Sequence, residues 1–335
     1  MSKKISFKLN RQKVMDNITK YISAVFIVVL LVLLTATQDN FLGTYNLKNL
    51  LRDPAPLLLM ASGMGMVLLL GSIDLSMGAV CSVTNVMYLK LMMTYADRCE
   101  NIVVLSLVCM AVCLLFGCMS GLALGFIHVK LKVPSFIASL GFMSVWQSVS
   151  LLISQAPVGV PKVLWPAINW YKITLFEVVG LPLVLAVLVM LSVWILTRFT
   201  AFGKSIYAIG GNERTARVAG LDVDKNKITV FVLAGFLAAL AGIFLVANMK
   251  SSSPTIGDPY TMQIVASCAL GGIALSGGKG SITGVILGVF TVALINNGMT
   301  YVGIDAYWQN VVFGAFVLGA IALTVDRKTR GIAIK

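Results

Sequence analysis

Charged residues make up only 12% of this 335-residue chain, about half the share of an ordinary soluble domain. There are 13 Asp and Glu against 26 Lys and Arg, and the single histidine is His128. One His and so few acids leave no nucleophile, base and orienting acid to form a catalytic set, and no His cluster to complete a zinc site. The six cysteines are Cys81, Cys99, Cys109, Cys113, Cys118 and Cys268, and only Cys99 falls in a polar stretch, so no disulfide framework is visible. Cys109 and Cys113, four apart on one helix face, read as small apolar filler between helices. A phosphate-binding loop is missing as well. That loop needs Gly, four residues, then Gly-Lys-Ser/Thr, so that backbone N–H groups wrap the phosphates. Arg198 holds the first position ahead of Gly203-Lys204-Ser205; Ile273 holds it ahead of Gly278-Lys279, where Gly280 follows the lysine. If ATP powers this protein, another polypeptide hydrolyses it.

Apolar residues fill the space left by charge. They form 58% of the chain, with a mean hydropathy of +0.92. A soluble fold of this size would expose apolar surface that water does not tolerate, whereas a bilayer span needs roughly 20 mostly apolar residues. The formal charge of +13 shows no basic face or stripe, so it indicates topology rather than nucleic acid as a partner. Apolar segments fall at 21–38, 54–71, 75–94, 102–127, 134–153, 174–197, 228–248, 262–275, 282–299 and 308–325. Two of the divisions rest on interruptions, GSIDLSMG at 71–78 and SGGKGS at 276–281, each read as a tight re-entry between two helices. The fold class is therefore all-α integral membrane, with about ten transmembrane helices. A basic segment 1–20 precedes a permease domain 21–326, and a basic tail 327–335 follows it. The first apolar run has no small-residue cleavage motif after it and reads as a retained helix. Both termini are basic (Lys3, Lys4, Lys8 and Arg11 at one, Arg327, Lys328, Arg330 and Lys335 at the other). An even number of spans puts both in the cytoplasm, as the positive-inside rule requires.

On that topology the largest inner loop is about 198–227, and the largest outer loop, 154–173, is rich in Pro and Trp. Within the inner loop Asn212 is a good N-cap, Glu213 places negative charge at the positive end of a helix, and Gly220 is a good stop. The helix 213–219 so defined is about two turns long, too short to persist alone in water. Either the rest of the chain or another protein holds it. Ala216 and Ala219 give it a slim face flanked by Arg214 and Arg217. Gly210 and Gly211 read as the sharp turn into it.

The ordered set GSIDLSMG (71–78), FGKSIYAIGGNERTARVAGL (202–221), AGFLAALAGI (234–243) and VASCALGGIALSGGKGSITGVILGV (265–289) resembles the membrane subunit of the ribose/galactose/xylose-type ABC importers. The likeness runs from about residue 40 to 328. It implies a type II ABC importer-like permease in the bacterial cytoplasmic membrane. The implied partners are an ATPase subunit that binds ATP and Mg, an extracytoplasmic solute-binding protein, and a second permease, either a copy or a homologue. In that family the loop matching this one holds the helix that docks on the ATPase. The resemblance thus assigns coupling to Gly203, Gly210, Gly211, Asn212, Glu213, Ala216, Arg217, Ala219 and Gly220. The sequence departs from the family in having Gly71-Ser72 where members often carry Gly-Gly, and in lacking an acid beyond Asp258 in GDPYTMQIVA (257–266).

A sugar or sugar-like solute is the leading cargo. A nucleoside, a signalling sugar derivative and a branched-chain amino acid are the alternatives within the superfamily. An ion-coupled secondary transporter, the alternative of a different class, would need ionisable groups near mid-bilayer, and the spans are almost free of acids. Asp74 either serves the path or caps the helix that follows it. Asn85, Gln147, Asn248, Asn296 and Asn297 either line a path for a hydroxyl-rich solute or join helices by hydrogen bonds. They are few, neutral and scattered along the chain, which places selectivity in the external binding protein.

Overall fold

A computed structural model describes residues 24, 27–38, 40–175 and 179–324. The basic segment 1–20 and the tail 327–335 lie outside the described residues. In chain order the helices begin with α1 (Ile27–Thr37), α2 (Thr44–Arg52), α3 (Ala55–Leu69), α4 (Met77–Tyr95), α5 (Ile102–Lys130), α6 (Ser135–Ile153) and the single turn α7 (Trp165–Ile168). They continue with α8 (Leu181–Phe199), α9 (Ala201–Gly211), α10 (Glu213–Val218), α11 (Val223–Met249), α12 (Asp258–Leu270), α13 (Ile282–Tyr301) and α14 (Ala306–Thr324). Each apolar segment of the sequence holds one helix. By length and composition α5, α6, α8, α11 and α13 can each cross a bilayer. Two-residue antiparallel pairs, Val158–Gly159 with Ser251–Ser252 and Thr174–Leu175 with Val179–Gly180, are the strands among the described residues.

The bundle is apolar both inside and out. All fifteen residues of α3 are buried, while α5 and α6 turn Leu115, Phe126 and Leu152 outward. Water would oppose such a surface; lipid accepts it. Around α3 lie α11, α8, α12 and α13, and α11 packs most closely on α5. That contact depends on small residues: a Cβ on Gly121 would strike the Phe231 carbonyl, and one on Gly117 the Gly235 carbonyl. Close backbone approach of this kind drives helix association where no hydrophobic effect operates between helices. Cys109 and Cys113 are buried free thiols on α5, where filler was expected.

The two interrupted stretches end their first helices in the same way. After α3, Gly71 (φ +77°) lets its own N–H reach Leu68 O and Ser72 N–H reach Val67 O. After α12, Gly272 (φ +80°) does the same with Ala269 and Cys268. Both are left-handed glycine caps that satisfy the last carbonyls of a helix. At the other end of α12 the chain is non-helical from Lys250 to Gly257, where Pro254 and Gly257 interrupt it. Its polar backbone is satisfied by side chains: Ser253 N–H donates to Asn85 Oδ1 (2.9 Å), Gly257 N–H to Ser82 Oγ (2.8 Å), and Ser150 Oγ–H to Pro254 O (2.8 Å). Irregular backbone within a membrane domain is tolerated on that condition.

Candidate functional site

The 198–227 segment is mostly helical. Thr200 caps α9, its Oγ1 accepting from Gly203 N–H at 3.2 Å. Asn212 caps α10, its Oδ1 accepting from Thr215 N–H at 3.0 Å. At the far end Gly220 N–H reaches Arg217 O and Leu221 N–H reaches Ala216 O, which closes α10 at Val218 with Ala219 as C-cap. This chain itself holds the short helix. Glu213 Oε2 accepts from Lys227 Nζ (2.7 Å) and its Oε1 from Arg217 (3.4 Å). Arg217 also donates to Asp224 (2.9 Å), which pairs in turn with Lys130 at the end of α5 (3.1 Å). The ammonium of Lys227 holds the Glu213 carboxyl below its ordinary range, and Arg217, then Lys130, do the same for Asp224. The slim face expected on α10 is different in the structure. Ala216 is turned into the chain and is only 4% exposed, while Ala219 faces solvent. The apolar side chain that α10 presents outward is Val218, at 84% exposure.

Gly210 and Gly211 are the last two residues of α9, with no positive φ, so they make no turn. The expectation of a sharp bend there is corrected by packing. The Cα of Gly210 lies against the end of α3 and the 276–281 loop, and a Cβ would collide with Leu69 O and come within 2.6 Å of Gly278 N. Gly278 N–H donates to Leu69 O at 2.9 Å. Gly71 lies against the same loop, near Ser276 and Gly277. Three segments far apart in sequence therefore meet in a glycine joint that ties α9, and through it α10, to the C-terminal end of α3 and the loop between α12 and α13. Gly211 has open space around it, and Gly203 is needed where α8 and α9 meet at Thr197.

The polar residues of the spans separate into two groups. Asp74 accepts from Ser76 N–H (2.8 Å) and Ser76 Oγ–H (2.6 Å) in the turn before α4, whose N-cap is Ser76 without a side-chain cap bond, so the expected cap is replaced by a local turn. Asn85 donates to Gly242 O (3.0 Å) and accepts from Ser253, bracing α4 to α11. Gln147 pairs with Asp258 (3.2 Å). Asn248 reaches toward Asp53 at 3.5 Å. Asn296 and Asn297 line a cavity of about 420 Å³ at the opposite end of α3 from the glycine joint. Its walls come from α2 (Asn46, Asn49), the α2–α3 corner (Asp53, Pro54), the first turns of α12 (Tyr260, Gln263) and the last turns of α13. Asn46 and Asn297 clasp each other through both amides, at 3.0 and 2.9 Å.

The sequence matches a family model described as branched-chain amino acid transport system / permease component over residues 46–321. The chain belongs to that family. The matched region contains the glycine joint, the capped α10 and nearly all of the cavity wall. Among curated relatives, the ribose import permease protein RbsC of Escherichia coli (strain K12) is 34% identical over 308 residues, covering 91% of this chain and 93% of the relative. RbsC of Bacillus subtilis (strain 168) is 32% identical over 300 residues, with 90% of each chain covered. The galactose/methyl galactoside import permease protein MglC of Haemophilus influenzae is 29% identical over 330 residues, 94% of this chain and 96% of the relative. This family member is thus a multi-pass transport subunit.

Sequence reasoning missed Asn46, Asn49, Tyr260 and Gln263 as members of one site. α2 is short and lies outside the apolar segments, and Asn46 meets Asn297 across 251 positions of sequence. The NxxN spacing of Asn46 and Asn49, which puts two amides on one helix face, was the available signal.

Proposed function

We propose that this chain is the permease of an ABC importer for a sugar or sugar-like solute, working as a pair by alternating access. The observation that carries this reading is the similarity to ribose and galactose import permeases along nine-tenths of the chain. A separate ATPase holding ATP and Mg would dock on the face of α10 that bears Val218, and the glycine joint would pass its movement to α3 and α12. The solute would come from an external binding protein, with α10 and both termini on the cytoplasmic side. Two measurements test this. Cells that carry the chain with its ATPase and binding protein should take up D-ribose or D-galactose, and uptake should vanish without the ATPase and survive an uncoupler while ATP is held constant. Uptake of L-leucine in place of either sugar would refute the cargo. Introduced cysteines in 154–173 should react with an impermeant reagent from outside and those in 203–227 should not; the reverse pattern would refute the orientation.

A further inference from the structure

The wall of the cavity beside α13 suits a solute whose polar groups donate and accept at once. At about 420 Å³ it lies within the roughly 300–1,000 Å³ of small-molecule sites. Asn46 and Asn297 have satisfied each other and hold α2 to α13. Asn296 and Gln263 differ from them. The Oδ1 of Asn296 has no donor and is closed to solvent, so what Asn296 offers a solute in the cavity that it lines is its amide N–H donors. Gln263 is 7% exposed, lines the cavity and makes no side-chain hydrogen bond among the described residues. Gln263 offers donors and an acceptor, the same combination as a hydroxyl, and Asn296 adds donors. The one charged residue in the wall is Asp53, already paired with Arg52 at 3.2 Å. A zwitterionic amino acid would need a free cation for its carboxylate, and the guanidinium nearest the wall, that of Arg52, is already engaged by Asp53 and Asn49.

We infer that this cavity is a solute site inside the permease that holds a neutral, monosaccharide-sized polyol through the amides of Gln263 and Asn296. The inference rests on the sugar-import reading and deepens it. Selectivity is then shared between the permease and its binding protein, in place of the scattered polar groups that the linear sequence suggests.

The test uses the assembled transporter in sealed right-side-out vesicles. Ala293→Cys, in the cavity wall, is introduced with the exposed Cys99 changed to Ser, and its reaction with an impermeant thiol reagent is timed. D-ribose or D-galactose at millimolar concentration should slow the reaction several-fold, and L-leucine should not. Adding Asn296→Ala or Gln263→Ala should raise the half-protecting sugar concentration roughly threefold to tenfold, the effect of losing one neutral hydrogen bond. Thr300→Cys, on the same wall, gives a second reporter if Ala293→Cys fails to assemble. No protection by either sugar, equal protection by leucine, or an unchanged half-protection in the amide variants would each overturn the assignment. Uptake of the two sugars is scored separately, so absent uptake counts against the proposed function and absent protection against the cavity.

Discussion

Two neighbouring glycines should respond to the same substitution with opposite signs. In Gly210→Ala the added methyl collides with Leu69 O and Gly278 N. Overpacking of this kind costs about 1–3 kcal/mol. If the 276–281 loop retreats to make room, the Gly278 N–H to Leu69 O bond is lost, which adds about 0.5–1.5 kcal/mol. Against this, Ala in place of Gly within a helix gains about 0.5–1 kcal/mol. The sum is a destabilisation of about 0.5–4 kcal/mol. In Gly211→Ala the methyl enters open space, so only the gain of about 0.5–1 kcal/mol remains. Thermal unfolding of the two purified variants should place Gly210→Ala below the wild type and Gly211→Ala at or slightly above it. Hydrogen exchange should show the Gly278 amide opening faster in Gly210→Ala alone. ATP-dependent uptake should fall with the first and hold with the second, because the joint links α9 to α3. Equal unfolding temperatures for the two variants, or a stabilised Gly210→Ala, would refute the packing argument.

Val218→Asp should reduce uptake and co-purification of the ATPase while leaving the unfolding temperature unchanged, since its side chain touches little of its own chain. Ala216→Trp should instead lower the unfolding temperature of the permease alone, because that side chain is buried; scanning calorimetry separates the two. The carboxyls of Glu213 and Asp224 are held below their ordinary values of 4.5 and 3.8. Their contribution is therefore complete above those values and disappears as pH falls through the lower folded ones. Limited proteolysis at Arg214 and Arg217 should be flat from about pH 7 to 5 and rise only below about pH 4, and the rise should be small because the pairs are exposed and screened by solvent. Asn85→Leu should cost about 1–3 kcal/mol by leaving the Ser253 N–H without an acceptor, measured as a lower unfolding temperature with α10 still protected.

The positions of the helices were legible because apolar runs, Pro and Gly are local signals. The stretch 54–94 divides at Gly71 to Ser76, as its turn-formers indicate, and Asn212 and Gly220 bound α10 within one residue of the expected span. What could not be read depends on distant partners. Gly210 looks like a turn in sequence because its reason, the Leu69 carbonyl, is 141 positions away. Ala216 and Ala219 are three apart, yet one is buried and the other exposed, since the direction of so short a helix is set by Lys227 and Asp224 on α11. The amides of the cavity belong to α2, α12 and α13, and no periodicity along one helix shows which amides converge.

The shortness of α12 bears on how the protein is made. Its 13 residues extend about 20 Å, well short of a hydrocarbon core of about 30 Å, and they include Asp258, Thr261 and Gln263. Such a segment has too little apolar length to leave the translocon on its own. Gly271 and Gly284 pack backbone to backbone, as do Ser267 and Gly288, so α12 and α13 are shaped to enter the lipid together as a hairpin. α4 comes earlier in the chain, and its Ser82 and Asn85 supply the acceptors for the segment leading into α12. The order of synthesis thereby becomes an order of assembly, in which an early helix prepares the polar footing for a late one.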